Sequence, residues 1–255
     1  EKVGIKPMAN DKMDALRWNW DAPLIISPHN SKRLYFAANR LFKSDNRGDK
    51  WECISPDLSK GIDRNQLKVM GRIQSADAVM KNKSTTMYGN IVALDESPLQ
   101  EDLLYVGTDD GSIHVTQDAG KNWYLVNDIK GVPKNTYVNS LVASKHDVNR
   151  VYAVLNNHKR GDFKPYVYVS NDKGKNWKSI VYNLPIKQSV YDIAEDHLSA
   201  DLLFVGTELG VFYTNKRGLE WKQLKSGLPT IAVRDLEIQE RENDLVLATF
   251  GRSFY

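Results

Sequence analysis

The 255-residue chain carries a single cysteine, Cys53. No internal disulfide can form, which excludes the small secreted folds built on disulfide frames. It has no run of about 18 apolar residues, so no segment reads as a membrane-spanning helix. Charge of one sign is scarce as well: 35 basic residues stand against 32 acidic ones, for a net charge of +3. A dedicated nucleic-acid binder would show a strong basic bias, and nucleic acid is therefore set aside as a partner. There is no GxSxG, no HExxH and no P-loop, so the usual hydrolase, zinc-protease and nucleotide signatures are missing. The five histidines, at 29, 114, 146, 158 and 197, are scattered. No spacing calls for a metal or a cofactor.

One pattern recurs four times. The segments SDNRGDKW (44–51), TQDAGKNW (116–123), SNDKGKNW (170–177) and TNKRGLEW (214–221) share the form S/T-x-D-x-G-x-x-W. Ser44, Thr116, Ser170 and Thr214 open the boxes, and Trp51, Trp123, Trp177 and Trp221 close them. The aspartate is present as Asp118 and Asp172, but Asn46 and Lys216 replace it in the first and fourth copies. Gly48, Gly120, Gly174 and Gly218 suit a tight turn that needs a positive φ. The aspartates can accept hydrogen bonds from N–H groups of their own turn. Asn46 can do part of that work and Lys216 cannot, so the fourth turn is expected to be looser. The tryptophans open the next strand with a large apolar face. The same device in every repeat reads as a structural staple rather than as one active site.

A hairpin of aromatic and β-branched residues precedes each box: RLYFAANRLFKS (33–44), LLYVGTDDGSIHVT (103–116), RVYAVLNNHKRGDFKPYVYVS (150–170) and LLFVGTELGVFYT (202–214). A further hairpin, DLVLATFGRSFY (244–255), has no box after it. A short apolar strand leads into each, and another begins at each tryptophan. Four antiparallel strands in units of about 40–50 residues predict an all-β fold, a β-propeller of four-stranded blades. Blades are expected at about 22–54, 89–126, 137–182 and 189–225, with part of a fifth at 232–255. Residues 1–21 read as a polar N-terminal segment with a short helix near Asp11 to Arg17, and 55–88 as an insertion between the first two blades.

Propeller topology places the box turns on one face. The turns between second and third strands fall on the other, together with the connections between blades. Loops of that second face are the expected ligand surface. They bring together Asn39, Arg40, Asp109, Asp110, residues 156–162 including His158, Glu208 and Arg252. The insertion adds Asp57, Asp63, Arg64, Arg72, Asp77 and Tyr88. If the chain cleaves glycosidic bonds it needs two facing carboxyl groups, for which Asp109, Asp110, Glu208 and Asp77 are the candidates. Trp18 and Trp20 lie outside the boxes, and in an extended segment they point to one side. They would form a platform for a sugar ring or, the favoured reading, pack the chain entry onto the first blade.

With these boxes, and with RWNWDAPLIISP (17–28), YFAANRLFKS (35–44), LLYVGTDDG (103–111), GDFKPY (161–166) and LPTIAVRDL (228–236), residues 17–255 resemble bacterial Asp-box (BNR repeat) propellers. These are sortilin/VPS10-like proteins often labelled glycosyl-hydrolase-like. The resemblance implies an extracytoplasmic place: periplasm, outer surface or secreted. It implies a module that binds a polysaccharide or a protein through the face of the strand 2–3 loops. A glycoside hydrolase and an assembly scaffold are the alternatives. The arginine-bearing F/Y-R-I-P motif of sialidases is absent, and Arg40, Arg234 and Arg252 do not rebuild that site. The aspartate motifs of xyloglucanases are not found either, nor is the cysteine-rich module of sortilin receptors. Rings of this family hold more blades, so the chain is expected to be part of a longer one, with the remaining blades as its partner.

Overall fold

The computed structural model describes residues 3–9, 13–68, 71–81, 87–126, 128–225 and 227–255. It contains four four-stranded antiparallel sheets and one two-stranded sheet. Sheet one is β1 (Leu24–Ile26), β2 (Leu34–Ala37), β3 (Leu41–Ser44) and β4 (Glu52–Cys53). Sheet two is β5 (Ile91–Glu96), β6 (Leu104–Thr108), β7 (Ile113–Thr116) and β8 (Tyr124–Leu125). Sheet three is β9 (Tyr137–Ala143), β10 (Val151–Asn157), β11 (Asp162–Ser170) and β12 (Lys178–Ser179). Sheet four is β13 (Val190–Glu195), β14 (Leu203–Thr207), β15 (Gly210–Thr214) and β16 (Lys222–Leu224). The fifth pairs β17 (Val233–Gln239) with β18 (Asp244–Thr249). Its third strand is begun by the chain end, where Leu247 and Tyr255 exchange both backbone hydrogen bonds.

Strand order follows chain order in every sheet, as short hairpin connections require. The second strands β6 and β10 are buried along their whole length. That explains their unbroken apolar runs, since both faces are covered by neighbouring sheets. The outermost strands β4, β8 and β12 are only two residues long, which blunts the exposed edges. Apolar clusters fill each gap between consecutive sheets; one joins Tyr105 and Val115 of sheet two to Leu141 and Ala153 of sheet three. No helix among the described residues is long and apolar enough to cross a membrane. Residues 13–17 are not helical, and Asp11 of the expected N-terminal helix lies outside the described residues.

The repeated boxes are hydrogen-bonded alike. Thr116 Oγ1 accepts from Gly120 N (3.0 Å) and donates to Asp118 Oδ1, which also accepts from Asn122 N (2.9 Å). Ser170 with Asp172 and Ser44 with Asn46 repeat the arrangement. The fourth box keeps the bond from Gly218 N to Thr214 Oγ1 at 3.2 Å. Lys216 offers no acceptor there and forms an exposed ion pair with Glu220 instead. The box glycine also meets the preceding sheet: a Cβ on Gly120, at φ +87°, would lie 2.2 Å from Ile54 O. The tryptophans complete that joint. Trp123 Nε1 donates to Ile54 O (3.1 Å) and Trp221 Nε1 to Ile180 O (2.8 Å). For sheet one, Trp51 Nε1 donates to the carbonyl of Ile5, so the N-terminal segment stands where a preceding sheet would. Trp177 differs, bonding to Gly174 O within its own box.

A second joint uses buried acids. Tyr35 Oη donates to Glu96 Oε1 of the next sheet (3.1 Å), and Tyr152 Oη to Glu195 Oε1 (2.8 Å). Ala143 and Ile238 hold the matching register positions of the other two joints. Opposite Ile238 the tyrosine is replaced by Phe204, which needs no partner. Opposite Ala143, Tyr105 keeps a buried hydroxyl that has none among the described residues.

Candidate functional site

The inner strands of sheets two to five share a defect near their start. Pairing slips between Ile91 and Ala93, between Val190 and Asp192, and between Val233 and Asp235. In sheet three the slip lies where Val154 pairs with Ser140 and Leu155 with Val138. Each slip is a β-bulge, which leaves one residue outside the ladder and re-aims its side chain. The bulged residues are Val92, Asn139, Tyr191 and Arg234. Room for them comes from the preceding sheet: a Cβ on Gly107 would meet Val138 at 2.4 Å, and one on Gly206 would meet Val233 O at 2.8 Å.

These four residues line the mouth of a groove of about 1,360 Å³ bounded by all five inner strands. Three of them are linked in a chain of contacts. Asn156 donates to Asn139 Oδ1, and Asn139 Nδ2 donates to Tyr191 O. His158 Nδ1 lies 2.6 Å from Asn156 Oδ1, and its ring stands edge-on to Tyr191 at 6.2 Å. Tyr191 Oη donates to Glu208. The Arg234 guanidinium sits over the Tyr191 ring at 3.9 Å and over Phe250 at 5.4 Å. Lys159 covers Tyr137 at 4.9 Å. Burial, then the charges of Lys159 and Arg234, lower the His158 pKa against the pull of Glu208. Burial and the bond to Glu208 push Tyr191 up to about 12.

Deeper in the groove Asp192 Oδ2 accepts from Leu236 N (3.0 Å), and Asp235 lies close enough to act on the Asp192 carboxyl. Burial, reinforced by Asp235, raises the Asp192 pKa above its ordinary value of 3.8. Asp95 is raised to about 7, chiefly by burial. A raised acid holds its proton more tightly folded than unfolded. Its contribution to stability is therefore complete below about pH 4 and is lost as pH rises through the folded value. Urea unfolding at pH 5 and pH 8 is expected to show the parent losing more stability over that interval than Asp192→Asn does. Equal losses would contradict a raised Asp192 pKa.

Of the residues singled out from sequence, His158 and Glu208 belong to this site. Asp109 and Asp110 do other work. Asp109 Oδ1 accepts from Gly89 N and Asn90 N (2.9 and 2.8 Å), and its Oδ2 from Asn90 Nδ2 (3.1 Å). Asp110 is fully buried between Thr108 Oγ1 and Lys60 N. Their oxygens are taken by the loop they brace, so they do not face each other across a cleft. Asn39 is buried too, accepting from Arg17 N and donating to Asp57, which Arg17 also grips at 2.7 Å. Arg40 reaches Ser55 O at 3.4 Å. Asp63 caps a single 3-10 turn, Tyr88 is half-buried, and Asp77, Arg72 and Arg252 are exposed. Arg64 lies in the turn that Asp63 caps. Trp18 packs on Phe36 with ring centroids 4.9 Å apart, whereas Trp20 is 80% exposed, so the two form no shared platform. The bulge residues were missed. The signal was present in the inner strands, where a β-branched residue is followed at each repeat by a varying one: Ile91-Val92, Val138-Asn139, Val190-Tyr191, Val233-Arg234.

No protein-family model and no curated protein matches the chain. Solved structures do. An ancestral GH74 enzyme is 16% identical over 92% of this chain and 28% of its own, with a TM-score of 0.65. The GH74 xyloglucanase from Xanthomonas campestris is 16% identical over 91% of this chain and 35% of its own (TM-score 0.64). The extracellular domain of a hybrid two component system from B. thetaiotaomicron is 14% identical over 88% and 26% (TM-score 0.53). The chain thus spans about a third or less of the length of these proteins. At such identities the shared property is the fold: the chain is a β-propeller of four-stranded antiparallel blades, four of them complete and a fifth in part.

Proposed function

We propose that the chain is an Asp-box propeller module that acts outside the cytoplasm and binds a polysaccharide at the groove mouth. The observation that carries this reading is the groove itself. Its volume exceeds the roughly 300–1,000 Å³ of small-molecule pockets, and its mouth sets the exposed ring of Phe250 and the half-buried ring of Tyr137 beside the amide of Asn139. Ring faces accept the C–H faces of sugars, and the amide and the charged groups serve hydroxyls and ring substituents. The likeness to a xyloglucanase and to an extracellular domain supports a carbohydrate ligand and an extracytoplasmic place.

Binding is favoured over cleavage by the placement of acids. Glycosidases hold two carboxyl groups about 5–5.5 Å apart for retention or about 6.5–9.5 Å apart for inversion. Asp192 and Asp235 are neighbours deep in the groove, where burial and then Asp235 raise the Asp192 pKa, and Asp192 is already engaged by Leu236 N. The test is a panel of plant, algal and host polysaccharides, scored for binding by calorimetry and for release of reducing ends. Binding without release is expected. Release that Glu208→Gln or Asp192→Asn abolishes would overturn the non-catalytic reading, and silence across the panel would overturn the polysaccharide ligand.

A further inference from the structure

We propose that the groove mouth is an anion site in which Lys159 and Arg234 receive the carboxylate of a uronic sugar residue. This inference rests on the polysaccharide reading above and narrows it to acidic polymers.

Both cations are positioned by stacking. Arg234 lies over Tyr191 and Phe250, and Lys159 lies over Tyr137. Stacking uses the face of a guanidinium and leaves the N–H groups on its edge free, in the fork that matches a carboxylate. Among the described residues neither side chain makes a hydrogen bond or an ion pair. Other cations of the same face are already engaged: Arg160 on the carbonyls of Lys134 and Asn135, Lys60 on Asn135, Arg17 on Asp57.

The neighbouring acids are largely spent. Glu208 takes the Tyr191 phenol, Asp162 accepts from Tyr166 and Asn157, and Asp192 accepts from Leu236 N with its pKa raised, chiefly by burial. Asp21 and Asp109 act on the Tyr137 ring, adding to the effect of its burial. His158 sits within the fields of Lys159, Arg234 and Glu208 and beside the Tyr191 ring. Burial, then the charges of the two cations, lower the pKa of its imidazole. A bound carboxylate offsets them and lets His158 take up a proton, so affinity rises as pH falls toward the imidazole range.

The experiment titrates the full chain with polygalacturonate and alginate oligomers, each beside its carboxyl-reduced counterpart, and follows the His158 imidazole by NMR. Expected are binding of an acidic polymer about tenfold tighter than of its reduced form, a raised His158 pKa in the complex, and loss of the preference in Arg234→Gln and in Lys159→Gln. Both side chains are exposed, and an unchanged thermal melt confirms the fold of each variant. Equal affinity for acidic and reduced forms overturns the anion site and leaves polysaccharide binding standing. No binding to any glycan overturns both readings. Binding of polyglutamate with no glycan bound also overturns both and assigns the mouth to a protein ligand.

Discussion

Trp221→Ala is expected to destabilise the protein by about 3–5 kcal/mol, the cost of emptying a buried indole site. Trp221 is 3% exposed and its Nε1 donates to Ile180 O at 2.8 Å across the joint between sheets three and four. Its backbone is held separately: Asn183 Oδ1 accepts from Trp221 N (2.7 Å) and Asn183 Nδ2 donates to Trp221 O (2.9 Å). Those bonds survive the substitution, so the loss measures the ring. Trp123 and Trp177 are half-buried, and their alanine variants are expected to lose less. Trp177→Ala should fall below Trp123→Ala, because its indole bond stays inside its own turn. Chemical denaturation of the three variants gives the order directly. A loss under about 1 kcal/mol for Trp221→Ala would mean that the box tryptophans are not the staples between sheets.

Glu195→Leu is expected to cost about 3–5 kcal/mol, because it leaves the three donors to a buried carboxylate unpaired at about 1–3 kcal/mol each, only partly additive. Glu195 accepts from Tyr152 Oη at 2.8 Å, from Ser144 Oγ at 2.8 Å and from Lys145 N at 2.6 Å. At the matching register positions of the next joint the molecule carries two apolar residues, Phe204 and Ile238. Glu195→Leu combined with Tyr152→Phe should therefore recover about 1–2 kcal/mol relative to the sum of the single changes, within the range of coupling between contacting residues. Strict additivity of the two losses would show that the tyrosine and the glutamate do not act as a unit. The same logic makes Tyr105, with its orphaned hydroxyl opposite Ala143, the weakest of the four joints.

The fold was legible because its markers are local. A box needs only eight residues, and its hydroxyl, acceptor, glycine and tryptophan act within one turn and one joint. Even the missing acceptor bond of the fourth turn follows from Lys216 alone. The site was less legible because burial is a tertiary property. Asp109 and Asp110 sit in a loop that looks exposed in sequence, but residues 57–60 of the insertion and Gly89–Asn90 fold over them. Asn39 was drawn into the same packing by Arg17. In the other direction, Tyr191 and Arg234 read as ordinary members of apolar strands. Only the bulge, a matter of register between strands, turns them toward the groove. His158 was found from sequence because it lies in the one long hairpin loop, where tertiary cover is thin.

The central claim, that ligand binds at the mouth formed by the bulge residues, is tested most directly by hydrogen–deuterium exchange with and without a saturating bound polysaccharide. The account predicts added protection at 137–139, 156–160, 190–191, 233–234 and around Phe250, with the box turns at 44–51, 116–123, 170–177 and 214–221 unchanged. Protection confined to the box turns, on the opposite face, would contradict it.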